Sequence, residues 1–82
     1  MKKTHPTAPK NLAGPAIRKL RLTAKVAVSQ EDLAGRLANE GIALDRSAVS
    51  RVENQDRYLM DYELIAFARA LRVSPAKLLP EK

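Results

Sequence analysis

Apolar residues recur at helical spacing along the chain, and no segment alternates apolar and polar positions with period two. From Pro15 to about Ala24, Ile17, Leu20 and Ala24 fall at i, i+3 and i+7, one buried stripe, with Arg18, Leu22 and Lys25 on another face. Gly14-Pro15 opens this helix, since proline at the first helical position loses no useful N–H. A second helix begins at Ser29. Ser29-Gln30-Glu31-Asp32 has the capping-box form, in which a hydroxyl accepts from the N3 amide and an N3 acid reaches back. Leu33, Ala34, Leu37 and Ala38 form its apolar face, and Gly41 suits the left-handed position after it.

Ile42-Ala43-Leu44 makes a connection with apolar residues at 42 and 44. Asp45 is a good N-cap for a third helix, Arg46 to about Glu53. That helix buries little: Val49 and Val52, with Ala48 beside them. Its other residues, Arg46, Ser47, Ser50 and Arg51, make a polar face of two guanidiniums and two hydroxyls. After a turn over 54–57, Asp61 is expected to cap a fourth helix reaching about Arg72, with Leu64, Phe67, Ala68 and Leu71 at i, i+3, i+4 and i+7, and Ile65 extending that face. Ser74-Pro75 starts a last short helix carrying Leu78 and Leu79, ended by Pro80. The pattern predicts an all-α fold, a compact five-helix bundle over residues 14–82. Residues 1–13, rich in Pro, Thr and Lys without apolar period, are expected to form a mobile basic arm.

The charge changes the picture because of where it sits. The 82-residue chain has a formal net charge of +6. Residues 1–25 hold seven Lys or Arg and no acid, whereas residues 26–82 hold eight basic and nine acidic residues. The excess belongs to the arm and first helix. It is either a solubilising tail or a phosphate-tracking segment in which Lys2, Lys3 and Lys10 release counterions from a polyanion. The polar face of the third helix carries the complementary signal. Arginine grips guanine O6 and N7 with a two-pronged fork, and serine hydroxyls reach bases or phosphates. The alternative is a solvated charged face.

Composition narrows the classes. A single core of this size rarely supplies more than about 3–5 kcal/mol without help, and with no Cys that help is neither a disulfide nor a cysteine-ligated zinc. Packed helices or a second copy remain. No nucleophile stands with a base, His5 stands alone, and acids such as Glu31 and Asp32 are explained by capping, so neither catalysis nor a cofactor or metal is expected. No apolar run approaches the roughly 18 residues of a membrane span. Met1-Lys2-Lys3 is not followed by an apolar stretch, so a cytoplasmic protein is expected.

The stretches IRKLR (17–21), SQEDLAGRLA (29–38), SAVSRVEN (47–54), DYELIAFARALRVS (61–74) and LL (78–79) together resemble the Cro/repressor-type (XRE) helix-turn-helix family, over roughly residues 14–79. The resemblance implies a lambda-repressor-like domain that binds double-stranded DNA, usually as a homodimer, and regulates transcription at the nucleoid. It assigns Gln30 to a phosphate at the start of the second helix, Arg46, Ser47 and Arg51 with Ser50 to base reading, and Asn54 to a backbone contact; Arg57, in the following loop, is a further candidate for such a contact by its position. It also matches Arg21 and Glu53 to an internal salt bridge, which would remove Arg21 from the DNA-contacting charges. Two departures stand out. From Leu37 to Asp45 the connection is about five residues longer than in common relatives, which puts the tilt of the third helix in question. Asn54-Gln55 also stands where many relatives place a Gly soon after the third helix. Tyr58, Leu59, Met60 and Tyr62 form core, a lid or part of a dimer surface, for which Leu79 is another candidate. The same fold also serves antitoxin-like or adaptor proteins that grip a toxin or effector, so a protein partner is the alternative to DNA.

Overall fold

A computed structural model describes residues 8–80. Lys2, Lys3 and His5 lie outside the described residues. Four α-helices follow one another: α1 (Gly14–Thr23), α2 (Gln30–Asn39), α3 (Arg46–Glu53) and α4 (Asp61–Leu71), then a 3-10 turn, Pro75–Leu78. There is no strand among the described residues. The expected fifth helix is therefore only that turn. Pro75 and Pro80 bracket four residues and have no N–H, and the bonds that form are the short ones, Lys77 N–H to the Ser74 carbonyl and Leu79 N–H to the Ala76 carbonyl.

The helix ends follow local chemistry. Ser29 Oγ accepts from the Asp32 amide at 2.9 Å, and Asp32 accepts from the Ser29 amide at 3.2 Å, completing the capping box. Asp45 accepts from the Ala48 amide at 2.8 Å and starts α3. α4 starts one residue before the expected cap. Met60 is the N-cap and Asp61 is already helical, because the Glu63 carboxylate accepts from the Met60 amide at 3.0 Å. α2 ends as the sequence predicts. Gly41, at φ +85°, sends its N–H to Ala38, and Ile42 sends its own to Leu37. α3 ends in the same motif with a costlier residue: Gln55 takes φ +62°, and the Gln55 and Asp56 amides close on Val52 and Arg51.

The core gathers one side of every element. Phe67, Ile17, Leu33, Leu37, Leu78, Val49 and Val52 are fully buried. α2 packs on α3 and α4, and α1 packs on α3, α4 and the 3-10 turn. The long connection after α2 returns through the half-buried Ile42 and the buried Leu44. Ile65 leaves the predicted pattern and stays exposed, because the residues α4 buries, Glu63, Ala66, Phe67 and Ala70 with Ala68 at the edge, centre on the face opposite Ile65 at 100° per residue.

Residues 10–13, expected in the arm, belong to the domain. Ala13 is buried in the core and Asn11 is buried beside it. Asn11 Oδ1 accepts from the Gly14 amide at 2.8 Å, opening α1, while Nδ2 donates to the carbonyls of Val52 (3.0 Å) and Arg57 (2.8 Å). α1 meets the end of α3 so closely that a Cβ on Gly14 would collide with the Val52 carbonyl oxygen and stand 2.8 Å from that of Glu53.

Two glycine substitutions should therefore differ in sign. Gly35 lies inside α2 with nothing near a new Cβ, so Gly35→Ala should stabilise by about 0.5–1 kcal/mol through helix propensity. Gly14→Ala should destabilise by about 1–3 kcal/mol despite that propensity, because backbone must move aside. Urea unfolding of the two variants checks both. A Gly14→Ala variant as stable as the parent would show that the α1–α3 contact is loose.

Candidate nucleic-acid interface

α3 is two-sided. Projected at 100° per residue, Ala48, Val49, Val52 and Glu53 share one buried arc, and Arg46, Ser47, Ser50, Arg51 and Asn54 share the opposite arc. Ser50 is half-buried and the other four are exposed. Among the described residues, none of these five side chains makes a hydrogen bond or ion pair within the protein. Their donors point outward unspent.

The inner side is fixed by a carboxylate. Glu53 accepts from Arg21 Nε at 2.7 Å and from a second guanidinium nitrogen at 2.9 Å, a two-pronged pair whose side chains are 9% and 1% exposed. The resemblance to relatives thus located a real contact, and Arg21 is committed inward. Arg21 also donates to the Val28 carbonyl at 3.0 Å and so pins the α1–α2 connection. The hydrogen bonds to Glu53 hold the Arg21 guanidinium even further above its usual range, outweighing the opposing effect of burial.

Gln30 joins the same carboxylate. Its Nε2 donates to Glu53 Oε1 at 3.0 Å, so the residue expected at a phosphate is tied to the inner face of α3 at the start of α2. Arg57 lies off the outward arc of α3. Half-buried, it donates to the Tyr58 carbonyl at 3.0 Å and pairs with Glu63 at 3.2 Å, fastening the loop that leads to α4. Asn54 is the exposed C-cap of α3. Lys10 lies exposed with Nζ 5.6 Å from the centre of the Tyr58 ring, and its amide donates to the Gln55 carbonyl at 3.1 Å. Arg51 and Arg57 both border an open recess of about 520 Å³ floored by Ala38, Ala43, Leu44 and Ala48, beside the outward arc.

Sequence reasoning missed Asn11. The available signal was its place three residues before Gly14-Pro15, the spacing of a side-chain cap.

Glu53→Ala should cost about 3–5 kcal/mol, because it leaves the Arg21 guanidinium buried and unpaired. Arg21→Met with Glu53→Met should recover part of that loss in thermal unfolding. No recovery would mean that the pair matters for shape rather than charge.

No family model matches the chain, and a comparison with curated proteins returns no match either. Solved structures do match. The restriction-modification controller protein C.AhdI from Aeromonas hydrophila is 33% identical, with 82% of this chain aligned to 87% of that one and a TM-score of 0.68. The P22 c2 repressor, solved with a synthetic operator, is 26% identical over 88% of this chain and 98% of its own, also with a TM-score of 0.68. With the two-sided α3, the Arg21–Glu53 pair and 33% identity to C.AhdI over 87% of that protein, the chain belongs to the Cro/repressor-type (XRE) family of helix-turn-helix regulators.

Proposed function

We propose that this protein binds double-stranded DNA sequence-specifically as a homodimer and represses transcription, lodging α3 in the major groove. The observation that carries the proposal is the outward arc of α3. Two arginines, two serines and an asparagine sit there without internal partners, on a helix whose other side is sealed into the core. Arg46, Ser47 and Arg51, with Ser50, are the base-reading candidates. Asn54 serves the backbone. Gln30 presents the amide edge that Glu53 leaves over, beside the first amides of α2, where the helix dipole favours a phosphate. Arg57 acts through the loop it fastens. Lys2 and Lys3, with Lys10, supply affinity without sequence information. No catalytic step and no cofactor belong to this function, and it places the protein in the cytoplasm at the nucleoid. Among the described residues no helix is long and apolar enough to cross a membrane.

A largely apolar open groove, lined by Leu12, Ala13, Leu59, Leu64 and Leu79 with Asn11 and Asp61 at its polar edge, supports the second copy. Leu12 and Leu79 are 58% and 45% exposed, and Met60, next to Leu59, is 53% exposed. A twofold dimer sets two α3 helices about 34 Å apart on a pseudo-palindromic site. The same groove is what an antitoxin-like or adaptor protein would offer a toxin or effector, and that is the second reading.

Selection of bound duplexes from a random pool tests DNA binding, half-site sequence and spacing together. A pool that yields no enriched sequence, with no salt-dependent binding of any duplex, would leave the protein-only role. Arg46→Ala and Arg51→Ala should each weaken binding to the selected site by about 1–3 kcal/mol and relax the preference at one base pair. Equal losses on random duplex would exclude direct reading by these arginines. Lys2→Ala with Lys3→Ala should instead weaken all duplexes alike and lower the salt slope by up to about 2. An unchanged slope in a salt titration would remove the two lysines from the interface.

A further inference from the structure

We infer that Asn11 is a positioning residue for the DNA-reading helix: it fixes the C-terminal end of α3 without belonging to the face that reads. The inference rests on the DNA-binding function proposed above. α3 is only eight residues, about 12 Å long. Its N-terminal end is set by Asp45, and its last residue, Glu53, is held from the inner side by Arg21 and Gln30. Its C-terminal end turns on Gln55, a non-glycine residue in the left-handed region, which the surroundings must hold there.

Asn11 supplies that hold. Its Nδ2 bridges the Val52 carbonyl in the last turn of α3 and the Arg57 carbonyl beyond the turn, so both sides of the bend hang on one amide group. Its Oδ1 is anchored to the Gly14 amide of α1. The main chain closes the clasp. Gln55 Nε2 donates to the Asn11 carbonyl at 3.0 Å, and the Lys10 amide donates to the Gln55 carbonyl at 3.1 Å. The bonds span 41 and 46 residues of sequence and are buried or partly buried. A tilt of about 10° about the Asp45 end would move the far end of a 12 Å helix by about 2 Å. That displacement exceeds what a bidentate base contact tolerates. Arg51 and Asn54 stand at the far end, and Arg46 stands at the fixed one.

Asn11→Asp tests this. It keeps the shape and the acceptor for Gly14, and turns both donor bonds into an acceptor facing two carbonyl oxygens. Affinities for the selected duplex and for an unrelated duplex of the same length are measured at several salt concentrations, at a temperature where circular dichroism reports a folded variant. The ratio of the two affinities is expected to fall tenfold or more with the salt slope unchanged, and the base preference to relax at the position that Arg51→Ala relaxes more than at the Arg46 position. A purely structural role would lower the unfolding temperature and leave both readouts alone, so a folded variant with a ratio within twofold of the parent overturns the inference. If Asn11→Asp does not fold, Gln55→Gly takes its place. Glycine keeps the left-handed turn and removes only the side-chain bond to Asn11, and a ratio about threefold lower is expected, with an unchanged ratio again overturning the proposal. A parent chain that binds the two duplexes equally overturns the DNA function and the inference together, and the parent measurement tells that case apart.

Discussion

The structure depends on what the Glu53 carboxylate accepts. Two bonds come from α1 through Arg21 and one comes from α2 through Gln30, and all three end at the last residue of α3. A buried carboxylate is expensive unless its oxygens are satisfied by charged or polar donors. Here each oxygen receives at least one short bond from a neighbouring helix. The charge that would be costly alone becomes the point at which three helices agree on their mutual geometry. In a domain with so small a core, a directional contact of this kind specifies orientation in a way that valines and leucines do not.

Around that hub the frame is made largely of backbone. Gly14 brings α1 against the Val52 and Glu53 carbonyls with no side chain between them. The connection after α2 returns on Leu44, and α3 then starts on the Asp45 cap, so the longer loop is absorbed by packing. The left-handed turn that many relatives give to glycine is taken by Gln55, whose side chain then helps to hold it. Arg57, in the loop, holds that loop to Glu63.

How much of this was legible in the sequence follows the range of each interaction. The capping box at Ser29, the Asp45 cap, the Gly41 turn and the α3 boundaries rest on bonds three to five residues apart, and they were visible in the residue types alone. The Arg21–Glu53 pair spans 32 residues. It could be named only because the motifs resembled a family, since nothing local distinguishes those two charges. Asn11 spans still more, and it sits among Pro, Thr and Lys residues whose composition signals a tail. Its burial is a tertiary fact. The last helix was overread for a different reason: Leu78 and Leu79 gave the right apolar content, but two prolines left too few amides to propagate a helix. Ile65 was misplaced because a neighbour of Leu64 on the sequence is 100° away on the helix. On the candidate site, composition and periodicity found the outward residues of α3, and only the folded structure separates those from Gln30 and Arg57, half-buried side chains tied to Glu53 and Glu63.

The unspent outer arc of α3 has a consequence for how such a protein can change. Among the described residues, none of the bonds that hold the helix in place uses the side chain of Arg46, Ser47, Ser50, Arg51 or Asn54. The side chains that hold the helix and those proposed to read DNA are therefore different ones on the same eight-residue helix and its cap. Side chains on the arc can change at nearly constant folding free energy, so whatever surface the arc presents to a partner can be rewritten without first rebuilding the scaffold.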